Sequence, residues 1–117
     1  MSAHQRRKGA RWELDCAAAL RDWGLPAAAR RIVNTGGDVG DLAGVPVVIE
    51  CKNAATWRTW DWLAQLDREL DRAGGHGGVW AKRAGHTDPM SGAILLRPTN
   101  WLALLNDARI ITAGAES

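Results

Sequence analysis

Apolar residues recur along this chain at two spacings, and the changes between them mark out eight elements. In "KGARWELDCAAALRDW", residues 8–23, Trp12, Cys16, Ala19, Leu20 and Trp23 fall three or four apart, as on one face of a helix. Gly24 and Pro26 end it. "AARRIVN", 28–34, is short and partly β-branched and predicts a strand, and the three glycines of "TGGDVG" predict a turn or mobile loop. "DLAG" and "VPVVIECK", 41–52, predict a tight hairpin that bends near Gly44, with Pro46 near a strand start. A second helix covers "TWRTWDWLAQLDRELDRA", 56–73, with Trp60, Leu63, Leu66 and Leu70 on its buried face. "GGVWAKR" and "GAILLRP" read as two more strands, joined by a flexible "AGHTDPMS" loop. A last helix, capped by Thr99, covers "NWLALLNDA" and leaves a frayed tail over about 112–117. The order is α-β-β-β-α-β-β-α in a single domain, 1–117, and helices covering a mixed sheet are its natural packing.

The chain has 117 residues, 46% hydrophobic and 24% charged, the profile of a globular protein rather than a disordered one. No apolar run is long enough for a membrane span, and "MSAHQRRKGARWE" contains no apolar signal region. A cytoplasmic location and no membrane partner are therefore expected. Cys16 and Cys51 make neither a disulfide framework nor a zinc set and read as reduced core residues; His4, His76 and His86 are scattered. Seven tryptophans, with no Phe or Tyr, must carry the large aromatic packing. Most are expected in the core. Trp57 and Trp62 are the expected exceptions, because their helix holds more aromatics than one buried face can accept, and stacking on unpaired bases is a use for such residues.

The net charge of +2 does not by itself indicate a nucleic-acid partner, but its distribution is uneven. Arg6, Arg7, Lys8 and Arg11 crowd the start, with residues 1–8 as a basic arm; Arg30 and Arg31 follow, and Lys82 and Arg83 come later. Local basic patches attract phosphate backbones, and the same residues also serve as solubilising surface charge.

"VPVVIECKN" places Glu50 and Lys52 at alternate positions of an apolar strand. Alternation puts both on one face, about 6–7 Å apart, while Cys51 faces the core. A hairpin folding back at Gly44 brings Asp41 beside the Glu50 end. Two carboxylates this close resist joint ionisation, and a divalent cation removes the conflict. Carboxylates, a backbone carbonyl and waters suit Mg²⁺, and a cation there suits phosphodiester hydrolysis, with Lys52 orienting or deprotonating the water or stabilising charge on phosphorus. The competing reading of Glu50 and Lys52 is a surface ion pair.

"KGARWE", "GDL" and "VIECK" together resemble the PD-(D/E)XK nuclease superfamily, and within it the archaeal-type Holliday-junction resolvases and their bacteriophage relatives. A basic segment and a K-G-A-x-x-E helix match Lys8, Gly9, Ala10 and Glu13; a D-[LI] strand start matches Asp41 and Leu42; a strand ending in I-E-x-K matches Ile49, Glu50 and Lys52. The resemblance covers roughly residues 6–83. It implies an α/β, restriction-endonuclease-like mixed β-sheet flanked by helices, and a Mg²⁺-dependent endonuclease, with Mn²⁺ as a substitute cation. Glu13, Asp41, Glu50 and Lys52 become the catalytic set. Asp41, Glu50, the Cys51 backbone carbonyl and Glu13 through water become the metal ligands. Asp38 competes with Asp41, and Gln65 matches a glutamine found after the E-x-K strand in some branches. Arg6, Arg7, Lys8, Arg11, Arg30, Arg31 and Lys82 are the expected DNA contacts. Branched DNA, a four-way junction cut by paired symmetric nicks, is the implied substrate and a homodimer the implied assembly; flap, nicked or duplex DNA, or binding without cutting, are the alternatives.

Overall fold

A computed structural model describes residues 2–32 and 40–112; the expectations placed on 33–39, Asp38 among them, and on 113–117 lie outside the described residues. The elements follow the expected order: α1 (Ala3–Asp22), β1 (Ala29–Arg30), β2 (Leu42–Ala43), β3 (Val48–Lys52), α2 (Thr59–Ala73), β4 (Gly77–Ala81), β5 (Ala93–Leu95) and α3 (Pro98–Asp107). They build a compact α/β protein with two small sheets. None of the described helices is long and apolar enough to cross a membrane.

The first helix starts before the predicted position. The Ser2 hydroxyl accepts the Gln5 N–H and the Gln5 side chain accepts the Ser2 N–H, a reciprocal cap that satisfies two N–H groups a helix start otherwise leaves open. The expected basic arm is therefore the opening of α1, and Arg6, Arg7 and Lys8 are helical residues. At the other end Trp23 caps the helix and Gly24 takes φ 110°, so Trp23 turns outward and is 78% exposed instead of joining the core.

The three-stranded sheet, in the order β3-β4-β5, is mixed. β3 and β4 run parallel with α2 as the crossover, and β4 and β5 run antiparallel. Side-chain alternation divides the core between its faces. Ile49, Cys51 and Trp80 meet Trp12, Cys16 and Ala17 of α1, with Leu42 added from β2. Val48, Val79 and Ala81 meet Trp62, Leu63 and Leu66 of α2. The Trp12 indole stands edge-on to Trp80, ring centroids 6.3 Å apart, and donates its N–H to the Trp80 carbonyl at 3.2 Å.

The predicted hairpin is opened out. β2 pairs with β1 (Ala29↔Ala43, Arg30↔Leu42) rather than forming a ladder with β3. The bend at Gly44 is as expected: its φ is 72°, and a Cβ there would stand 2.0 Å from the Ala27 carbonyl oxygen.

The tryptophans depart most from expectation. Trp12, Trp62 and Trp80 are buried, whereas Trp23, Trp57, Trp60 and Trp101 are exposed. Trp62 is thus a core residue, not an exception. α2 turns Trp62, Leu63 and Leu66 to the sheet, which leaves Trp60, expected in the core, 72% exposed. Trp101 follows from α3, which has no fully buried residue and starts from Arg97 with Pro98 in its first turn, so Thr99 is not its cap. The 84–91 loop is fastened rather than free: Asp88 accepts the Met90 N–H through its carboxylate, and the Trp80 indole donates to the Pro89 carbonyl at 3.0 Å.

Replacing a buried tryptophan and an exposed one should therefore give opposite results in urea unfolding. Trp12→Ala is expected to cost about 3–5 kcal/mol, and Trp23→Ala no more than about 0.5 kcal/mol.

Candidate functional site

Asp41 immediately precedes β2 and grips β3 twice. Its N–H donates to the Ile49 carbonyl at 2.7 Å, and its Oδ2 accepts the Cys51 N–H at 2.7 Å. The opposite edge of β3 belongs to β4, where the Val48 N–H bonds the His76 carbonyl and the Lys82 N–H bonds the Lys52 carbonyl. Within a strand, the N–H and C=O of one residue point to the same edge, so the Cys51 carbonyl shares the Asp41 edge.

Five elements converge on a cleft of about 590 Å³. α1 contributes Glu13 and Arg6; β1 contributes Arg30; the start of β2 contributes Asp41; β3 contributes Glu50, Cys51 and Lys52; α2 contributes Gln65. Glu13 accepts from the Arg30 guanidinium at 2.7 Å, and the Lys52 ammonium donates to the Gln65 side-chain oxygen at 2.8 Å. Glu13, Asp41, Glu50, Lys52 and Gln65 thus all line one cleft.

Among the described residues, Glu50 is the one charged residue that is fully buried, at 2% exposed. Burial first, then a hydrogen bond with Glu69, then the Asp41 carboxylate push its carboxyl up to about 10. Burial also raises Glu13, Arg30 opposes that rise, and Asp41 adds to it. The crowding of acidic groups therefore resists joint ionisation, and without a cation Glu50 keeps its proton at neutral pH. On the other face of β3, both cysteines are free and buried; a hydrogen bond with Cys16, then burial, push the Cys51 thiol well above its ordinary value.

Glu69 was not among the predicted site residues. It lies one helical turn beyond Gln65, so the two occupy one face of α2, and that spacing was the available signal. Its Oε1 accepts the Gly40 N–H at 3.0 Å, while its Oε2 is buried with no hydrogen-bond partner. Glu69 thereby braces the residue preceding Asp41 and faces Glu50 at once.

The basic residues divide. Arg6 lines the cleft and Arg30 is the Glu13 partner within it. Lys8 lies next to Gly9 of the cleft wall, and its carbonyl accepts from the Asn53 side chain at 3.5 Å. Lys82 is adjacent in the ladder to Lys52. Arg7 is exposed on the opening turns of α1. Arg31 donates to the Leu42 carbonyl at 3.3 Å, and Arg11 pairs with Asp15 over a different hollow that includes Trp23 and Asp88. Among the described residues, no three His, Cys, Asp or Glu side chains stand close enough to hold a metal ion as they are placed.

Comparison with known proteins returns no matching family model, no matching curated protein and no matching solved structure.

The Glu50 proton sets a pH dependence. In metal-free buffer the folded chain keeps it to about pH 10, whereas the unfolded chain releases it near 4.5, so stability falls as pH rises between those values. The fall is at most about 1.4 kcal/mol per pH unit. Urea unfolding in EDTA at pH 5, 7 and 9 should show Glu50→Gln close to the wild type at pH 5 and progressively more stable than it toward pH 9.

Proposed function

We propose that this protein is a divalent-metal-dependent endonuclease of the PD-(D/E)XK kind, with a restriction-endonuclease-like fold, and that it resolves four-way (Holliday) junctions in DNA. The observation that carries the reading is the meeting of Asp41, Glu50 and Lys52 at the β2–β3 edge, with Glu13 reaching the same cleft from α1.

The donor set suits Mg²⁺, with Mn²⁺ as a substitute: it is all oxygen, and it crowds the Asp41 and Glu69 carboxylates against the buried Glu50. Asp41, Glu50 and the Cys51 carbonyl would hold the cation, and Glu13 would reach it through water. Bound there, it would supply Lewis acidity and a more acidic water.

The chain's own residues do the rest. Gln65 fixes the Lys52 ammonium at 2.8 Å, which places one cation beside the carboxylates to orient the attacking water or offset charge on the phosphate. Arg30 holds the Glu13 carboxylate in place. Arg6 in the cleft, with Arg7 and Lys8 on the same helical start and Lys82 beside the Lys52 strand end, gives the phosphate backbone a basic approach. In-line attack by water leaves a 5′-phosphate and a 3′-hydroxyl. Paired symmetric nicks require two such sites, and a homodimer supplies them; the exposed Trp101, Leu102 and Leu104 of α3 offer an apolar surface for it.

A synthetic four-way junction and a matched linear duplex, each with Mg²⁺ or EDTA, test the reading. Paired nicks in the junction alone are expected, abolished by EDTA and reduced at least about a hundredfold by Glu50→Ala and by Lys52→Ala. Equal cutting of both DNAs would remove the junction specificity, and no cutting with any divalent cation would remove the nuclease.

A further inference from the structure

Two of the exposed tryptophans lie together beside the cleft. Trp57, Arg58, Thr59, Trp60 and Asp61, at the entry to α2, line a hollow of about 290 Å³. Trp60 is 72% exposed and Trp57 40% exposed. Neither is needed for the core, which α2 reaches through Trp62, Leu63 and Leu66.

Trp57 is nevertheless fixed. Its indole N–H donates to the Lys82 carbonyl at 3.3 Å, and its ring meets that of Trp62 at 6.1 Å with a 50° tilt. Both contacts lead to the candidate site: Trp62 lines the cleft, and the Lys82 N–H bonds the Lys52 carbonyl at 2.9 Å. Over Trp60, the Arg97 guanidinium stands 6.0 Å from the ring and is steadied by Asp67 at 3.1 Å. Arg58, paired with Asp61 at 2.7 Å, borders the same hollow. The patch thus joins exposed aromatic rings to guanidinium groups and runs into the cleft through Trp62. That combination fits an unpaired nucleobase, which has a flat π-face for the ring and an adjoining phosphate for the cation. A base stacked within a duplex offers no free face for such stacking.

We infer that Trp57 and Trp60 form a stacking platform for an unpaired base of a DNA strand entering the cleft, so that the preferred substrate carries unstacked bases next to the cut. This rests on the nuclease reading for the direction of the strand, but not for its test.

The test is binding in EDTA, where no cutting occurs, read by fluorescence anisotropy on a labelled blunt duplex and on a forked duplex with single-stranded arms. Trp57→Ala and Trp60→Ala are each expected to weaken binding to the fork about five- to a hundredfold while leaving the blunt duplex within about twofold. Trp60→Phe, which keeps a stacking ring, should restore most of the loss. Equal losses on both DNAs would overturn the inference, since the residues would then act on folding or on general contact. Full retention of fork binding would overturn it too and leave the patch to a protein partner. If the fork effect holds while no divalent cation supports cutting, the platform stands and the nuclease reading falls. Failure of the wild type to bind either DNA in EDTA would overturn the inference and leave the nuclease reading to the cutting assay.

Discussion

Asp41 is the residue through which the candidate site is assembled. Its backbone N–H and its carboxylate both bond β3, to the Ile49 carbonyl and the Cys51 N–H, two residues apart on the same strand edge. The β1–β2 ribbon is otherwise a pair of two-residue strands, short even for an isolated hairpin and unable to hold position alone. The double bond to β3 ties that ribbon to the three-stranded sheet. It also delivers a carboxylate to the edge where β3 carries Glu50, and it leaves Arg30 on β1 within reach of Glu13. One local constraint thus sets the Asp41 carboxylate close to both Glu50 and Glu13.

The site carries an electrostatic cost that the rest of the fold contains. Burying an ionised carboxylate without a partner costs several kcal/mol, and Glu50 lies under α2 with Glu69 and Asp41 as its acidic neighbours. In the protein alone the strain is relieved by a proton on Glu50. The surrounding structure is firm enough to hold the arrangement: Trp12 and Trp80 lock α1 to one face of the sheet, and Leu66 with Val79 locks α2 to the other. Arg30 pairs with Glu13 and Lys52 with Gln65, so neither of these two neutralises Glu50.

Much of this was legible in the sequence because it rests on periodicity. Alternation along "VVIECK" separates Cys51 from Glu50 and Lys52, and helical spacing places Trp12 and Cys16 inward. Where the sequence misled, the deciding interaction was long-range or stereochemical. The short segment 41–44 can pair on either side, and the Ala29↔Ala43 register went to β1. Trp60 and Trp62 lie two apart on one helix, and only the packing of α2 on Val48 and Val79 selects Trp62. Glu69 carried a signal, four residues beyond Gln65, but its contact with Gly40 is visible only in three dimensions. The Ser2–Gln5 cap, by contrast, was readable and turns an expected arm into helix.

The central claim is that the acidic groups at the β2–β3 edge are gathered for a divalent cation. Calorimetric titration of Mg²⁺ or Mn²⁺ into the wild type and into Asp41→Asn tests it directly, because the amide oxygen can still accept the Cys51 N–H while the charge is gone. Saturable binding to the wild type, weakened at least about tenfold in the variant with its thermal midpoint little changed, is the predicted result. Equal affinity in the two proteins, or no binding to the wild type, would contradict it.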